Sequence, residues 1–356
     1  MEEYLEQCLD SVLLQTLRDI ELVCVNDGST DASLDILKSY AENDERVRIY
    51  DRPNTGVGKA RNDGIDRAKG EFVIFMDPDD FYPDNDILEA LYNNAKKHKA
   101  LICGGSFSEL HEDGSVRTKW TGLLDSYTFY EDRMMRYDEY QFDFGYHRFI
   151  YSRKMLNDNN IRFPLYTRFQ DPPFMVKAMI TAGRFYAMSK VTYRYRWGHQ
   201  NLKWDEQRTY DVLCGLCDDL RMSAAAGLGK LHTITFERLT KEFLNPIALN
   251  ISSPKIIAKL NETYAAARPS LLEPPYPDEK FFLEPLYQAV LDKKMLENEL
   301  ADLKTQRSIA PAPTKEPQYT GFIGKLRGGL HCMKDNGFVY TVKLAFSKLK
   351  NKLGIK

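Results

Sequence analysis

The sequence predicts an α/β protein, with a mostly parallel sheet flanked by helices and a helical extension toward the C-terminal end. Three observations favour this class. Short apolar runs alternate with helix-periodic segments through residues 2–105, the pattern of successive βαβ units. Residues 205–302 carry mainly helical periodicity. Acidic turns follow two of the apolar runs, at the strand ends where open α/β sheets bind ligands.

The individual elements follow from where apolar residues recur. Leu5, Leu9 and Val12 share one face of a helix predicted over residues 2–16. The run from Ile20 to Val25 is short, apolar and rich in β-branched residues, so it predicts a strand. By the same rules the next elements are a helix at 32–44, a strand at 47–50, a helix at 58–68, a strand at 71–76, a helix at 86–98 and a strand at 100–103.

Composition and charge limit the partners. The formal net charge of −2 over 356 residues excludes a general nucleic-acid binder. Cys214 and Cys217 have the spacing of half a zinc site, but no second pair follows, so a buried helical face is the preferred interpretation. No disulfide framework is apparent, which indicates a reducing compartment, and we expect the cytoplasm. No apolar run approaches the ~20 residues that span a bilayer.

The C-terminal part predicts a change of organisation. Residues 306–320 are rich in proline and read as a linker. Residues 321–356 carry eight lysine or arginine residues and one aspartate, on a body that is otherwise net acidic. A lysine-rich amphipathic helix of this kind lies on anionic lipid, which predicts peripheral contact with the inner face of the plasma membrane. The alternative is a solvated helix that packs on the body.

An acidic turn is the most informative local feature. Asp77, Asp79 and Asp80 follow the apolar run of residues 71–76, which predicts a strand buried on both faces. Asp77 and Asp79 are two residues apart, so extended backbone places both on one side. Clustered carboxylates at such a strand end can hold Mg²⁺ or Mn²⁺ that also carries a ligand phosphate. The alternative is a solvated turn that caps the next helix.

Two further segments carry candidate ligand contacts. Asp27 ends the first predicted strand, where it can accept hydrogen bonds from a base or ribose, while Asp31 is better explained as a helix cap. The segment at 54–64 lacks the spacing of a phosphate-binding P-loop. A helix that starts near Gly58 still offers free amides to an anion, and Arg61 lies one turn in. The alternative is that Arg61 is an ordinary surface residue.

Taken together, NDGSTD at 26–31, GVGKARNDG at 56–64 and DPDD at 77–80 resemble the family 2 glycosyltransferases of bacteria. The resemblance is dense over residues 2–105, weaker to about 200 and thin beyond. It implies a Rossmann-like GT-A fold and sugar transfer from a nucleotide diphosphate with inversion at the anomeric carbon. It predicts a glycosyltransferase domain over residues 1–204, with the nucleotide-binding half at 1–105 and the acceptor half at 106–204. A helical region is expected to follow at 205–305.

The resemblance also implies roles for individual residues. Asp27 would hold the base and ribose, Arg61 would contact the nucleotide, and Asp77 would face the ribose or metal. Asp79 would ligate Mg²⁺ or Mn²⁺ bridging the diphosphate. Asp171 would be the general base, although Gln170 replaces the acidic residue that usually precedes it.

A basic and aromatic segment is the remaining candidate. Arg196, Trp197 and His199 could contact the diphosphate or the acceptor, with rim arginines and a core tryptophan as the alternative. A first strand, expected in the family ahead of the helix at 2–16, is not found in this sequence. We therefore expect either a start further upstream or an impaired enzyme.

The function implied is transfer of a sugar, from UDP by family resemblance, to a glycan or lipid-linked acceptor in cell-surface polysaccharide synthesis. Two alternatives remain open. One is a catalytically impaired, glycosyltransferase-like binding protein. The other is a sugar nucleotidyltransferase, which would need an early glycine-rich loop with Arg and Lys.

Overall fold

A computed structural model describes residues 1–198 and 203–273. The predicted linker at 306–320 and basic tail at 321–356 lie outside the described residues, and so does His199. The α-helices are α1 Glu2–Leu13, α2 Ser33–Asn43, α3 Val57–Arg67, α4 Ile87–Lys97, α5 Tyr137–Tyr140, α6 Arg153–Asp158, α7 Asp171–Ala182, α8 Glu206–Ala226, α9 Gly229–Glu237, α10 Leu244–Asn250 and α11 Pro254–Ala266. The strands are β1 Leu22–Asp27, β2 Val47–Arg52, β3 Phe72–Val73, β4 Ile102–Leu110, β5 Val116–Arg117, β6 Arg133–Arg136, β7 Phe149–Ser152 and β8 Arg184–Arg196.

The N-terminal sheet is a parallel pair, β1 and β2, in which Asp27 is in register with Arg52. Helices α1 and α2 cover it through Leu5, Leu9 and Leu37. These apolar residues recur at helical spacing, which is why the sequence specifies both helices. The parallel pairing places the last residues of both strands, Asp27 and Arg52, at the same edge of the sheet. This is the edge at which the sequence predicted the acidic turn after β1.

A second, larger sheet has six strands in the order β3-β7-β4-β8-β6, with β5 paired to β4. Only β4 and β8 are parallel here, and the other pairs are antiparallel. The α/β class is confirmed, but the sheet is mixed rather than mostly parallel. The reason is that the segment from β4 to β7 has short connections, with α5 spanning four residues, and these suit antiparallel pairs rather than the crossovers that parallel strands need.

Strand β3 is much shorter than predicted. It covers Phe72–Val73, both half-buried, instead of the doubly buried strand expected over residues 71–76. Among the described residues β3 pairs only with β7, and β1 only with β2. Ile74, Phe75 and Met76 therefore have no ladder partner in the described part of the chain, and only Phe75 of these is fully buried.

The predicted helical extension is confirmed from α8 to α11. Helix α8 packs against α7, α9 and α11. Cys214 and Cys217 are buried on it, as a helical face requires. Between α9 and α10 the chain forms a π-helical turn, Arg238–Glu242. Over residues 1–198 and 203–273, the helices fall short of the length and apolar character that crossing a membrane requires.

Candidate active site

Asp77 and Arg61 form the centre of the site. Arg61 lies one turn into α3, and its Nη2 donates to Asp77 Oδ1 at 2.7 Å. Tyr146 donates its hydroxyl to the same oxygen at 3.3 Å. The Arg61 guanidinium also lies over the rings of Tyr146 and Phe163, at 4.9 and 5.4 Å. Two segments that the sequence offers as separate candidates therefore meet in one ion pair.

Arg61 and Asp77 each favour the charged form of the other. Burial acts to raise the pKa of Asp77, but Arg61 outweighs it and the pKa falls below its ordinary value. Burial likewise acts to lower the pKa of Arg61, but Asp77 and Asp171 outweigh it and the pKa rises. Both groups are therefore ionised at neutral pH.

The acidic turn, residues 77–80, is fixed by β8. Tyr193 donates its hydroxyl to Asp80 Oδ2, and the Arg196 amide donates to Asp80 Oδ1, both at 2.7 Å. Burial and the neighbouring carboxylates of Asp77 and Asp79 raise the pKa of Asp80 to about 8. Three carboxyl groups are therefore crowded in one turn, and burial with the two neighbouring carboxylates favours the protonated form of Asp80 at neutral pH.

That crowding is the observation that bears on a metal. Over the described residues, no group of three His, Cys, Asp or Glu side chains could hold an ion alone. Mg²⁺ is often held by one or two carboxylates together with substrate phosphates, so the donor set fits such a shared ion. Asp79, which is 4% exposed, belongs to this crowded group.

Asp27 accepts hydrogen bonds within the protein that the sequence analysis did not predict. Its carboxylate accepts hydrogen bonds from Arg52 Nε and the Thr55 amide at 3.0 Å, and from the Gly56 amide at 2.8 Å. Gly56 is the N-cap of α3 and has a φ of +97°, which favours glycine. Asp27 thus anchors the loop that starts α3. Its contact with a base or ribose stays a prediction.

Asp171 is brought to the same site from 94 residues beyond Asp77 in the chain. It is the first residue of α7, followed by two prolines that suit a first helical turn. Burial raises the pKa of Asp171, and the positive charges of Arg61 and Arg168 offset part of that effect. The site therefore combines two carboxylates that share the field of one arginine, Arg61.

Helix α8 holds the loop that leads into Asp171, residues 166–171. Thr167 donates its amide and hydroxyl to Asp211 at 2.8 and 2.7 Å, and Tyr166 donates to Asp218 at 2.8 Å. Asp211, Gly215 and Asp218 lie on one helix face, since they are four and three residues apart. A helix that the sequence assigns to a separate region therefore supports the candidate base.

Phe169, in the same loop, adopts an unusual backbone. Its φ is +64°, in the left-handed region that non-glycine residues seldom occupy, and its side chain is buried. Such a conformation costs about 1–3 kcal/mol and is found where surrounding contacts enforce it. Here Gly215 permits the enforcing contact, because a Cβ there would lie 2.6 Å from the Phe169 carbonyl oxygen.

The residues of the basic and aromatic segment differ in their contacts and exposure. Arg196 donates Nε to the Asp79 carbonyl at 3.0 Å and Nη2 to Gln7 at 2.6 Å, so it braces the acidic turn against α1. Trp197 is 53% exposed, and its ring lies 5.3 Å from that of His111. His199 lies outside the described residues. Their predicted substrate contacts remain predictions.

The sequence analysis did not identify three aromatic residues that line the site. Tyr146, His147 and Tyr193 come from segments with no regular apolar spacing, where the sequence offers little signal. The rings of His147 and Tyr193 lie 3.8 Å apart, and both nitrogens of His147 are buried without a hydrogen-bond partner among the described residues. Burial lowers the pKa of His147 to about 3, so this ring is neutral.

The α/β fold with an acidic edge is of the GT-A type. Residues 2–159, somewhat less than half of the chain, match the family described as Glycosyl transferase family 2. That segment is therefore similar to the family 2 glycosyltransferases.

This chain matches individual relatives over only part of their length. The glycosyltransferase EpsJ of Bacillus subtilis is 32% identical over 202 residues, which are 55% of this chain and 58% of that protein. A poly(ribitol-phosphate) beta-glucosyltransferase of Bacillus spizizenii is 30% identical over 199 residues, 54% of this chain and 30% of that one. The matched part of this chain thus spans about half or less of these relatives.

Among solved structures, S. aureus TarS 1-349 in complex with UDP-GlcNAc superposes with a TM-score of 0.59. The two sequences are 21% identical, and the match covers 76% of this chain and 79% of that one. At this identity the likeness shows a shared fold, and it confirms the GT-A expectation.

Proposed function

We propose that this protein is a metal-dependent, inverting glycosyltransferase that moves a sugar from a UDP-sugar to a glycan or lipid-linked acceptor. One observation carries the proposal: Arg61 is ion-paired with Asp77 at 2.7 Å and also interacts with Asp171, beside a turn that gathers the carboxyl groups of Asp77, Asp79 and Asp80. This combination supports a donor site with a cation on one side and a proton acceptor on the other.

Asp171 would act as the general base. The acceptor hydroxyl oxygen forms a bond to the anomeric carbon, its proton passes to Asp171, and the bond to the diphosphate breaks. Attack from the face opposite the leaving group inverts the configuration. Burial raises the pKa of Asp171 and so makes the carboxylate a stronger base, while the charges of Arg61 and Arg168 offset part of that effect.

Asp79 would hold the metal, with Asp77 close by, and Asp27 and Arg61 would contact the nucleotide. A bound Mg²⁺ or Mn²⁺ neutralises charge that develops on a departing diphosphate. Arg196 and Asp80 keep the acidic turn in place through the contacts described above. The UDP-GlcNAc bound by TarS supports UDP as the nucleotide.

The relatives support an acceptor in a cell-surface polymer, because the Bacillus spizizenii enzyme is a poly(ribitol-phosphate) beta-glucosyltransferase. A cytoplasmic position at the inner face of the plasma membrane, with contact through residues 321–356, would bring the site to a lipid-linked acceptor. That tail lies outside the described residues.

Two isosteric variants test the proposal. Asp171→Asn should lower the transfer rate by about 10²–10⁴ because the amide accepts no proton. The Kd for UDP in the presence of MnCl₂, measured by calorimetry, should stay within about twofold. Asp79→Asn should instead weaken manganese-dependent UDP binding. Asp158→Asn, an exposed residue of α6, is the control and should match the wild type.

The outcomes separate the alternatives. An Asp171→Asn variant that turns over at the wild-type rate would show that the base is elsewhere. UDP binding without transfer or donor hydrolysis in the wild type would favour a binding protein. Release of pyrophosphate from UTP and a sugar phosphate would identify a nucleotidyltransferase.

A further inference from the structure

Helix α1 lies against the chain segment that contains the acidic turn. This segment, residues 77–88, begins with the candidate metal ligands and ends in the first turn of α4. Strand β3 ends at Val73, so the ladder between β3 and β7 stops before the turn begins. Contacts with other elements must therefore determine where the carboxylates of the turn lie.

Strand β8 holds one side of the segment. Phe81 and Arg194 exchange backbone hydrogen bonds at 3.3 and 3.1 Å. The carboxyl group of Asp80 is bonded to Tyr193 and to the Arg196 amide, as described above. These contacts fix residues 80 and 81 from the β8 side.

Helix α1 bonds to the segment from the other side. The Cys8 thiol donates to the Asp77 carbonyl at 3.6 Å. The Ser11 hydroxyl accepts from the Tyr82 amide at 3.2 Å and donates to the Cys8 carbonyl at 2.7 Å. Because a thiol is a weak donor, the bond to Ser11 is the stronger constraint on the segment.

Gln15, just after α1, connects the segment to the start of α4. Its side chain is fully buried. Nε2 donates to the carbonyls of Asp84 at 2.7 Å and Ser11 at 2.9 Å, and the oxygen accepts from the Leu88 amide at 3.0 Å. The N-cap residue Asp86 makes no side-chain cap, so Gln15 satisfies one of the first-turn amides of α4 in its place.

Apolar packing brings the same elements together. Val12, Tyr82 and Leu88 belong to one buried cluster, and the Thr16 amide donates to the Asn85 carbonyl at 2.7 Å. Burial therefore holds the segment against α1, and the side-chain hydrogen bonds select its exact position. We expect their loss to shift the acidic turn without unfolding the protein.

We propose that Gln15 and Ser11 are positioning residues for the cation of the donor site, and that they act through the backbone of residues 77–88. This rests on the proposed function, in which Asp79 holds Mg²⁺ or Mn²⁺. Groups that orient the ligands of a metal typically contribute about 10–100-fold to its affinity. Because Gln15 and Ser11 act on the backbone around Asp79, we expect an effect near the lower limit.

Two substitutions remove these bonds. Gln15→Met removes all three of its hydrogen bonds at nearly constant volume, and Ser11→Ala removes the acceptor of the Tyr82 amide. Each should raise the Kd for Mn²⁺ about tenfold, measured by calorimetry on the full chain in the presence of UDP. Ser11→Thr keeps the hydroxyl group and should retain the wild-type Kd.

Kinetics separate positioning of the metal from damage to the chemistry. The Mn²⁺ concentration that gives half the maximal transfer rate should rise in Gln15→Met and Ser11→Ala. At saturating Mn²⁺ the kcat should return to within about twofold of the wild-type value, because only metal binding has been weakened.

Thr263→Val is the matched control. Thr263 is fully buried in α11, and its hydroxyl bonds to the carbonyls of Leu213 and Lys259 at 3.1 and 2.8 Å. The substitution removes buried hydrogen bonds of the same kind, so it should also lower the free energy of unfolding. Urea denaturation compares the losses of stability, and the Kd for Mn²⁺ should stay at the wild-type value.

Hydrogen exchange tests the position of the segment without any ligand. In Gln15→Met the amides of residues 80–88 should exchange faster, because the Leu88 amide loses its acceptor and the segment opens more often. The amides of β2, residues 47–52, should keep their wild-type rates. If Gln15→Met does not fold, Ser11→Ala compared with Ser11→Thr decides both measurements.

Three results would overturn the assignment. These are unchanged exchange over residues 80–88, a wild-type Kd for Mn²⁺ in both Gln15→Met and Ser11→Ala, or an equal rise of that Kd in Thr263→Val. The last would make weaker metal binding a consequence of lost stability alone. A wild type that binds no UDP with manganese would instead remove the proposed function, and hydrogen exchange would still decide whether α1 holds the segment.

Discussion

At the scale of single residues, Arg61 and Asp77 determine the site. Their side chains are 13% and 28% exposed, and each is the main compensation for the other's desolvation. Removing one partner of a shielded pair leaves a charge without compensation, and this costs more than the intact pair contributes. The pair therefore serves stability and function together.

Arg61→Gln should lower the free energy of unfolding by about 2–3 kcal/mol, less than the ~3–5 kcal/mol of a fully buried pair, because Asp77 keeps some contact with water. Adding Asp77→Asn should recover part of that loss, since the uncompensated charge disappears. Urea denaturation of both single variants and the double variant gives the coupling energy. A coupling below about 0.5 kcal/mol would mean that the two charges act independently.

At the scale of elements, helix α8 is part of the active site although it contributes no predicted catalytic group. Its face of Asp211, Gly215 and Asp218 fixes the 166–171 loop, and through it Asp171. The loop backbone at Phe169 would not hold its left-handed conformation without such contacts. The helical region and the transferase fold therefore act as one unit at this point.

Gly215→Ala should disturb that unit. The added Cβ would lie 2.6 Å from both the carbonyl oxygen and a ring carbon of Phe169, so the loop must move. We expect about 1–3 kcal/mol of destabilisation, as for overpacking, and a fall of at least tenfold in the transfer rate. Chemical denaturation and initial-rate kinetics measure the two effects.

Gly64→Ala is the comparison for that variant. Gly64 is inside α3, and a Cβ there meets nothing within 4 Å. Alanine should stabilise this helix by about 0.5–1 kcal/mol. If both alanine variants behaved alike, helix propensity rather than the contact with Phe169 would explain the Gly215 result.

At the scale of the whole molecule, the sequence predicts what local periodicity encodes. The helices and strands up to residue 103 agree with prediction within a few residues, apart from β3. Apolar spacing is a local signal, so it specifies these elements. The mixed sheet, the role of α8 and the pairing of Arg61 with Asp77 depend on contacts between distant segments, and no local pattern reports them.

Candidate site residues follow the same division. Asp77 and Arg61 could be named because they stand at a strand end and in the first turns of a helix, whereas Asp171 is named from the resemblance to the glycosyltransferase family. Tyr146 and Tyr193 could not, because their side chains gain meaning only after the larger sheet has formed around them. Arg196 could be named, but the sequence gives no sign that it braces α1.

Two buried histidines should make the whole fold sensitive to acid. Burial lowers the pKa of His232 to about 4 and that of His147 to about 3. His232 is held neutral by two bonds: Nε2 accepts from the Arg268 amide, and Nδ1 contacts the Ser223 hydroxyl, both at 2.8 Å. In the unfolded chain histidine titrates near 6.5.

The sign of the effect follows from proton counting. Between pH 6.5 and 4 these histidines bind protons in the unfolded chain but not in the native state, so their contribution to the free energy of unfolding falls as the pH falls. His232 alone accounts for at most about 3 kcal/mol of that loss. Asp80, whose pKa is raised, acts in the opposite direction over this range, so urea denaturation from pH 7.5 to 4.5 is compared between wild type and His232→Gln to isolate the histidine contribution.

His232→Gln should flatten this decline even if the variant is less stable at every pH, because glutamine does not titrate. His111→Gln, at a side chain that is 28% exposed, should keep the wild-type slope and serves as the control. A stability difference between wild type and His232→Gln that stays constant from pH 6.5 to 4.5 would mean that His232 takes up a proton without unfolding. In that case the interior around Ser223 must admit a charge that its present contacts disfavour.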